Sequence, residues 1–167
     1  HAAPLVKEAI RMQLDAGADL VMVLDTAAGD LPPAWFEQEV AQALADFARA
    51  YPGRLGYYAK AAHPALLSGA LAGAPWAGFG YDSRWDLSAV LAQPARTTFV
   101  QGNFDPAWLF LPPADLQNAL LDFLRPIAAL GPEARRGWIC GLGHGVLPGT
   151  PEDAVRSFVT TVREVLS

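Results

Sequence analysis

The apolar positions of this chain fall into a strand-then-helix alternation that occurs five times. Residues 4 to 16 predict the opening helix: Pro4 suits a first turn, and Leu5, Val6, Ala9, Ile10 and Leu14 form one apolar stripe. Asp15-Ala-Gly-Ala-Asp19 stops it, with Gly17 placed for a helix C-terminal cap. Leu20 to Leu24 is then apolar at every position, which predicts a strand covered on both faces and ended by Asp25.

Pro33 to Ala50 reads as a helix with Phe36, Val40, Leu44 and Phe47 inward, closed by a Pro52-Gly53 break. Leu55 to Ala59 is the second strand and Pro64 to Ala72 a short helix. The third strand is expected over Trp76 to Tyr81, followed by a short helix near Leu87 to Gln93. Thr97 to Val100 gives the fourth, and Pro113 to Ala128 a helix facing the core with Leu116, Leu120, Phe123 and Ile127. Trp138 to Leu142 is the fifth strand. The last helix is signalled by Thr150 as N-cap, Pro151 in the first turn and the acids Glu152 and Asp153 at the positive dipole end. Val155, Val159, Val162 and Leu166 mark much of its inner stripe.

Five strands alternating with helices define an α/β fold: a parallel sheet with right-handed crossovers. An open doubly wound sheet and a section of a (β/α) barrel both fit. No linker, low-complexity tract or charge block interrupts residues 1–167, so one structural unit is expected.

Composition narrows the function classes. With 52% hydrophobic and 17% charged residues the chain is no disordered segment. The net charge of −5 argues against nucleic acid or an anionic membrane as main partner. No apolar run approaches the roughly 18–20 residues of a spanning helix. Cys140 is the lone cysteine, which rules out an internal disulfide framework and a Cys-rich zinc site. So little charge suits a piece whose apolar faces are normally covered.

Parallel α/β folds bind ligands at the carboxyl ends of their strands. Those positions hold Asp25 and Thr26, then Lys60 and His63, then Asp82, Arg84 and Trp85, then Asn103 and Asp105, and finally His144 between two glycines. Asp25 is equally suited to capping its own loop, and Asn103 and Asp105 to shaping an Asx-type turn before Pro106, while Lys60 and His63 read as solvated loop residues. His144 has little packing to do beside Gly143 and Gly145, which let a ligand come close, so a functional role is favoured there. His63, His144, Asp25 and Asp105 lack local ligand spacing, and no metal site is expected. Cys140, inside a strand, reads as a small apolar residue. A dinucleotide fingerprint, a nucleophile elbow and a Walker lysine are not formed by Gly141-Leu-Gly-His-Gly145 or elsewhere.

Asp25-Thr26 with Gly29, Ala59-Lys60, Gly80-Tyr-Asp82, Gln101-Gly-Asn-Phe-Asp-Pro106 and Leu142-Gly-His-Gly-Val-Leu-Pro148 occur in the order seen in uroporphyrinogen decarboxylases. Ala16-Gly-Ala-Asp19 also resembles that family, and the resemblance runs across nearly the whole chain. It implies a TIM (β/α)8 barrel, here its last five β/α repeats with the barrel incomplete. It further implies a cytoplasmic homodimer that uses no metal or organic cofactor. The family converts uroporphyrinogen III, a tetrapyrrole, to coproporphyrinogen III by removing carboxyl groups from four acetate side chains. By motif, Thr26 would hydrogen-bond a substrate carboxylate and His144 would contact a carboxylate side chain. Asp25, Lys60, Asp82 and Asn103 would shape the site.

The family's arginine-bearing segment and its pyrrole-binding aspartate belong to the N-terminal half and have no counterpart in these residues, so the catalytic groups are not assigned. Two positions depart from the family pattern: Ser83 stands where Trp is usual after the aspartate, and Gly141 where Asn is usual. A barrel of this type takes about 250 residues and eight strands. The 167 residues are therefore expected to be a part of one. Two other readings compete: a corrinoid-linked, zinc-using methyltransferase of the same superfamily, which usually shows a His-x-Cys absent here, and a non-catalytic short binding module.

Overall fold

The β-branched and aromatic runs form strands and the amphipathic stretches form helices in a computed structural model that describes residues 3–166. The chain divides into two compact parts, one ending at Gly80 and one starting at Tyr81.

The first part carries α1 (Ala3–Asp15), β1 (Val21–Asp25), α2 (Pro33–Phe36), α3 (Gln42–Ala50), β2 (Leu55–Ala59), α4 (Gly69–Ala72) and β3 (Gly78–Gly80). β1 pairs parallel with β2, Val21 opposite Leu55 and Asp25 opposite Ala59, and β2 pairs parallel with β3. Side chains alternate across a strand, and Val21, Leu55, Tyr57 and Ala59 lie on one buried face. Tyr57 meets Trp76 at 5.5 Å between ring centroids, and the Trp76 indole N–H donates to the Leu71 carbonyl at 2.9 Å. Gly17, at φ +101°, lets Ala18 N–H donate back to Gln13 O, which ends α1 as expected.

Several expectations change here. β1 is covered on one face only: Leu24, pointing away from Val21, is 68% exposed. A continuous apolar run records what a strand can bury, not what lies over it. In α1 only Ile10 of the expected stripe is buried. The helix over 33–50 contains a π-turn at Glu37–Ala41 between α2 and α3. The helix over 64–72 splits into a 3-10 turn (Pro64–Leu67) and α4, because Ser68 is extended and Gly69 takes φ +55°. The third strand shortens to Gly78–Gly80.

The second part carries α5 (Leu87–Leu91), β4 (Phe99–Phe104), α6 (Pro113–Ala128), α7 (Pro132–Arg135), β5 (Trp138–Leu142) and α8 (Glu152–Leu166). β4 and β5 are parallel, Val100 opposite Trp138 and Phe104 opposite Leu142. Phe104 anchors the core: its ring lies 5.3 Å from Phe123 and 5.4 Å from Phe158, in a cluster with Leu109, Leu116 and Leu120. Leu87, Val90, Leu91, Val100 and Ile127 form a second cluster.

β4 runs to Phe104 rather than stopping at Val100, so Asn103 belongs to the strand and not to the turn after it. Thr150 is no N-cap: its hydroxyl donates to Leu147 O at 2.7 Å, and α8 starts at Glu152. The buried side of α8 is Ala154, Phe158 and Thr161, with Val159 exposed. The fully buried positions lie one residue, about 100°, from the expected stripe, of which Val155 and Val162 still pack partly buried on the same cluster, because Phe158 offers the ring that packs on Phe104.

Candidate functional site at the strand ends

In the first part the site residues follow β1 and β2. The Asp25 carboxylate closes the turn after β1: Oδ1 accepts the N–H groups of Ala27 and Ala28 at 3.0 and 2.9 Å, and Oδ2 accepts the Tyr57 hydroxyl at 3.1 Å. Burial, and next the Asp25 charge beside it, push the Tyr57 hydroxyl well above the ordinary phenol range, so it stays a donor. Asp25 thus shapes the loop, and the exposed Thr26 beside it presents its hydroxyl to solvent. The Lys60 N–H donates to Asp25 O at 2.9 Å, while the Lys60 side chain is exposed. Gly29 fits this junction because a Cβ there would sit 2.4 Å from Lys60 O. His63 is a capping residue, its Nδ1 accepting from Ala65 N–H at 3.2 Å.

In the second part Asp82, Asn103 and the Gly143-His144 turn come together. Asn103 is 4% exposed, and its Nδ2 donates to the carbonyls of Asp82 at 2.8 Å and Trp85 at 2.9 Å. Asp82, also buried, accepts Arg84 N–H at 3.1 Å. Gly143 N–H donates to Phe104 O at 2.8 Å, and a Cβ on Gly143 would meet Ser83 N at 2.6 Å and Asp82 C at 2.9 Å. Three strand-end segments therefore close on a residue without a side chain, and His144 follows it into solvent. The His144 Nδ1 lies 3.3 Å from Gly145 O. Asp105 closes its own turn, accepting Ala107 N–H at 2.9 Å. Cys140 is partly buried and burial pushes its thiol up to about 12, the state of a packing residue and not of a nucleophile.

Tyr57 was not singled out by sequence. The parallel register could have found Tyr57, since in-register strands put it on the same face as Asp25. The arginines are mostly engaged locally. Arg54 holds the carbonyls of Ala18 and Asp19, Arg96 holds those of Thr98, Ala134 and Arg136, and Arg49, Arg125 and Arg136 pair with acids on their own helices. Among the described residues no group of three or more His, Cys, Asp or Glu side chains is arranged to hold a metal, and no helix is long and apolar enough to cross a membrane.

Parallel strands alternating with helices, and polar groups at their carboxyl ends, define a partial (β/α) barrel; five strands fall short of the eight that close one. A methyltransferase from Methanosarcina mazei shares this fold, with a TM-score of 0.77 at 19% identity over 99% of this chain and 48% of its own. The uroporphyrinogen decarboxylase (URO-D) family matches residues 1–165, and the chain belongs to that family. It is 31% identical over 176 residues to a uroporphyrinogen decarboxylase of Prochlorococcus marinus strain MIT 9303, covering 99% of this chain and 46% of the relative. For the uroporphyrinogen decarboxylase of Chloroflexus aggregans the identity is 34%, covering 95% of this chain and 45% of the relative. The chain thus spans just under half the length of these curated relatives.

Proposed function

We propose that this chain is the C-terminal part of an enzyme that decarboxylates the acetate side chains of uroporphyrinogen III to coproporphyrinogen III, and that Thr26 and His144 are its substrate contacts. The observation that carries this reading is a division of labour at the strand ends. Asp25, Asp82 and Asn103 are engaged with backbone groups, whereas Thr26, Lys60 and His144 present exposed polar heads. A many-charged anionic substrate needs hydrogen-bond donors of that kind, a hydroxyl and an imidazole.

The Thr26 hydroxyl donates to a carboxylate. His144 has its Nδ1 beside Gly145 O, which leaves Nε2 to meet a carboxylate. Charge balance asks for more cations than this acidic chain has to spare, so the arginines and the carboxylate that steadies a protonated pyrrole come from the half of the enzyme outside these residues. Lys60, Asp82, Asn103 and Asp25 hold the edge in shape. The full-length enzyme is expected to be a cytoplasmic homodimer.

Porphyrin chromatography after oxidation of the reaction mixture tests this. The chain alone should yield no coproporphyrin, and the chain joined to the N-terminal half of a uroporphyrinogen decarboxylase should yield it. A joined, folded protein without activity overturns the proposal. The methyltransferase reading would show instead as stoichiometric zinc in the joined protein.

A further inference from the structure

The second part contains a cavity of about 210 Å³ whose lining includes Trp85, Asp86, Asn103, Asp105, Trp108 and Phe123. A water molecule needs only about 10–15 Å³ by such a measure, and drug-sized ligands take about 300 Å³ or more. The cavity therefore suits a small molecule and is far too small for a tetrapyrrole.

Its chemistry has one sign. No Lys, Arg or His lines it, while two carboxylates do. Each carboxylate closes its own turn through one oxygen. Asp86 Oδ1 accepts from the Ser88 hydroxyl at 2.6 Å and Ala89 N–H at 3.1 Å, and Asp105 Oδ1 accepts from Ala107 N–H. The second oxygen of Asp105 takes no hydrogen bond from a described residue, and the exposed Asp86 carboxylate also meets the Ser88 N–H. The Ser88 hydroxyl holds the Asp86 carboxyl below its usual range, so it is charged at neutral pH. Asn103 adds to the acceptors: it is 4% exposed, its Nδ2 is fully used on two carbonyls, and its Oδ1 takes no donor among the described residues. The rest of the wall is aromatic, and Trp108 is 43% exposed. A larger, more open hollow sharing Trp108 and Phe123 carries Asp115 and Asp122, of which Asp122 is already paired with Arg125 at 3.1 Å.

Open acceptors together with aromatic rings recognise a cation that carries an apolar stem. We infer that this cavity binds a small organic ammonium ion, independently of the function proposed above.

The test follows the five tryptophan indole N–H resonances of the full 167-residue chain by NMR during titration with n-butylammonium chloride. Saturable shifts are expected at Trp85 and Trp108, with Trp35, Trp76 and Trp138 as internal references. Butanol and sodium butyrate at equal concentration, and sodium chloride at equal ionic strength, should not reproduce them. Asp86→Asn with Asp105→Asn should weaken binding at least tenfold, since Asn keeps the cap but removes the charge. If the double variant loses its dispersed spectrum, Asp105→Asn alone should still weaken binding severalfold. Equal shifts with butanol, no response to butylammonium, or full binding by the folded variants would each overturn the inference.

Discussion

The two parts of the chain fix their strand ends with opposite chemistry. In the first, an acceptor does the work: the Asp25 carboxylate gathers two backbone N–H groups and the Tyr57 hydroxyl. In the second, a donor does it: the Asn103 amide holds two backbone carbonyls. Each also uses a glycine where a loop meets backbone, Gly29 against Lys60 and Gly143 against Ser83. The lesson is that the residues shaping such an edge are those whose polar atoms are already occupied; under the proposed function it is their exposed neighbours Thr26 and His144 that meet the substrate.

The largest effect should come from closing the glycine gaps. Gly143→Ala puts a methyl group 2.6 Å from a backbone nitrogen, with no flexible neighbour to yield, and should destabilise the second part by about 3 kcal/mol, the upper end for overpacking. Gly29→Ala should do the same to the first, and urea unfolding reads both. An effect below about 1 kcal/mol at either site would mean the loops are looser than drawn. Asn103→Ala comes next: two carbonyls lose their donor, at about 2–3 kcal/mol in the same measurement. Tyr57→Phe should lose less, about 1 kcal/mol, because the partly exposed Asp25 oxygen can turn to water. If Tyr57→Phe proved costlier than Asn103→Ala, the comparison would be inverted.

Alkaline stability has a defined sign. A free thiol ionises at about 8.5 in an unfolded chain, but Cys140 is pushed up to about 12 in the fold. Above pH 9 the unfolded state therefore holds fewer protons, and stability falls as pH rises toward 12. Tyr57 and Tyr81, raised chiefly by burial, act in the same direction above about pH 10. Cys140→Ala should flatten the fall between pH 9 and 10.5 in thermal melts. The smallest effect on folding belongs to the exposed pair: Thr26→Ala and His144→Ala should stay within about 0.5 kcal/mol of the parent.

Much of this was legible in the sequence. Five strands and their order followed from apolar runs between amphipathic stretches, and Gly17 and the Asp105 turn followed from local rules. Sequence could not show that Leu24 is bare, since exposure depends on what packs over a face. It caught only the flank of the α8 stripe, Val155 and Val162, because four aliphatics outvoted one phenylalanine whose partner, Phe104, lies far away in the chain. It placed Asn103 in a turn because Gly-Asn-Phe-Asp-Pro has turn composition, while the ladder with β5 extends the strand through it. It placed Asp25, Thr26, Lys60, Asp82, Asn103 and His144 at strand ends, and within the second part Asp82, Asn103 and the Gly143-His144 turn do meet. The Tyr57 contact with Asp25 is long-range and needed the fold.

The central claim is that shaping and contacting residues are different residues. Steady-state decarboxylation by the chain joined to a family N-terminal half tests it most directly, comparing the parent with His144→Ala and Thr26→Ala. The account predicts kcat/KM lowered at least tenfold in each with the melting temperature unchanged. Unimpaired turnover in His144→Ala, or a loss that tracks unfolding, would contradict it.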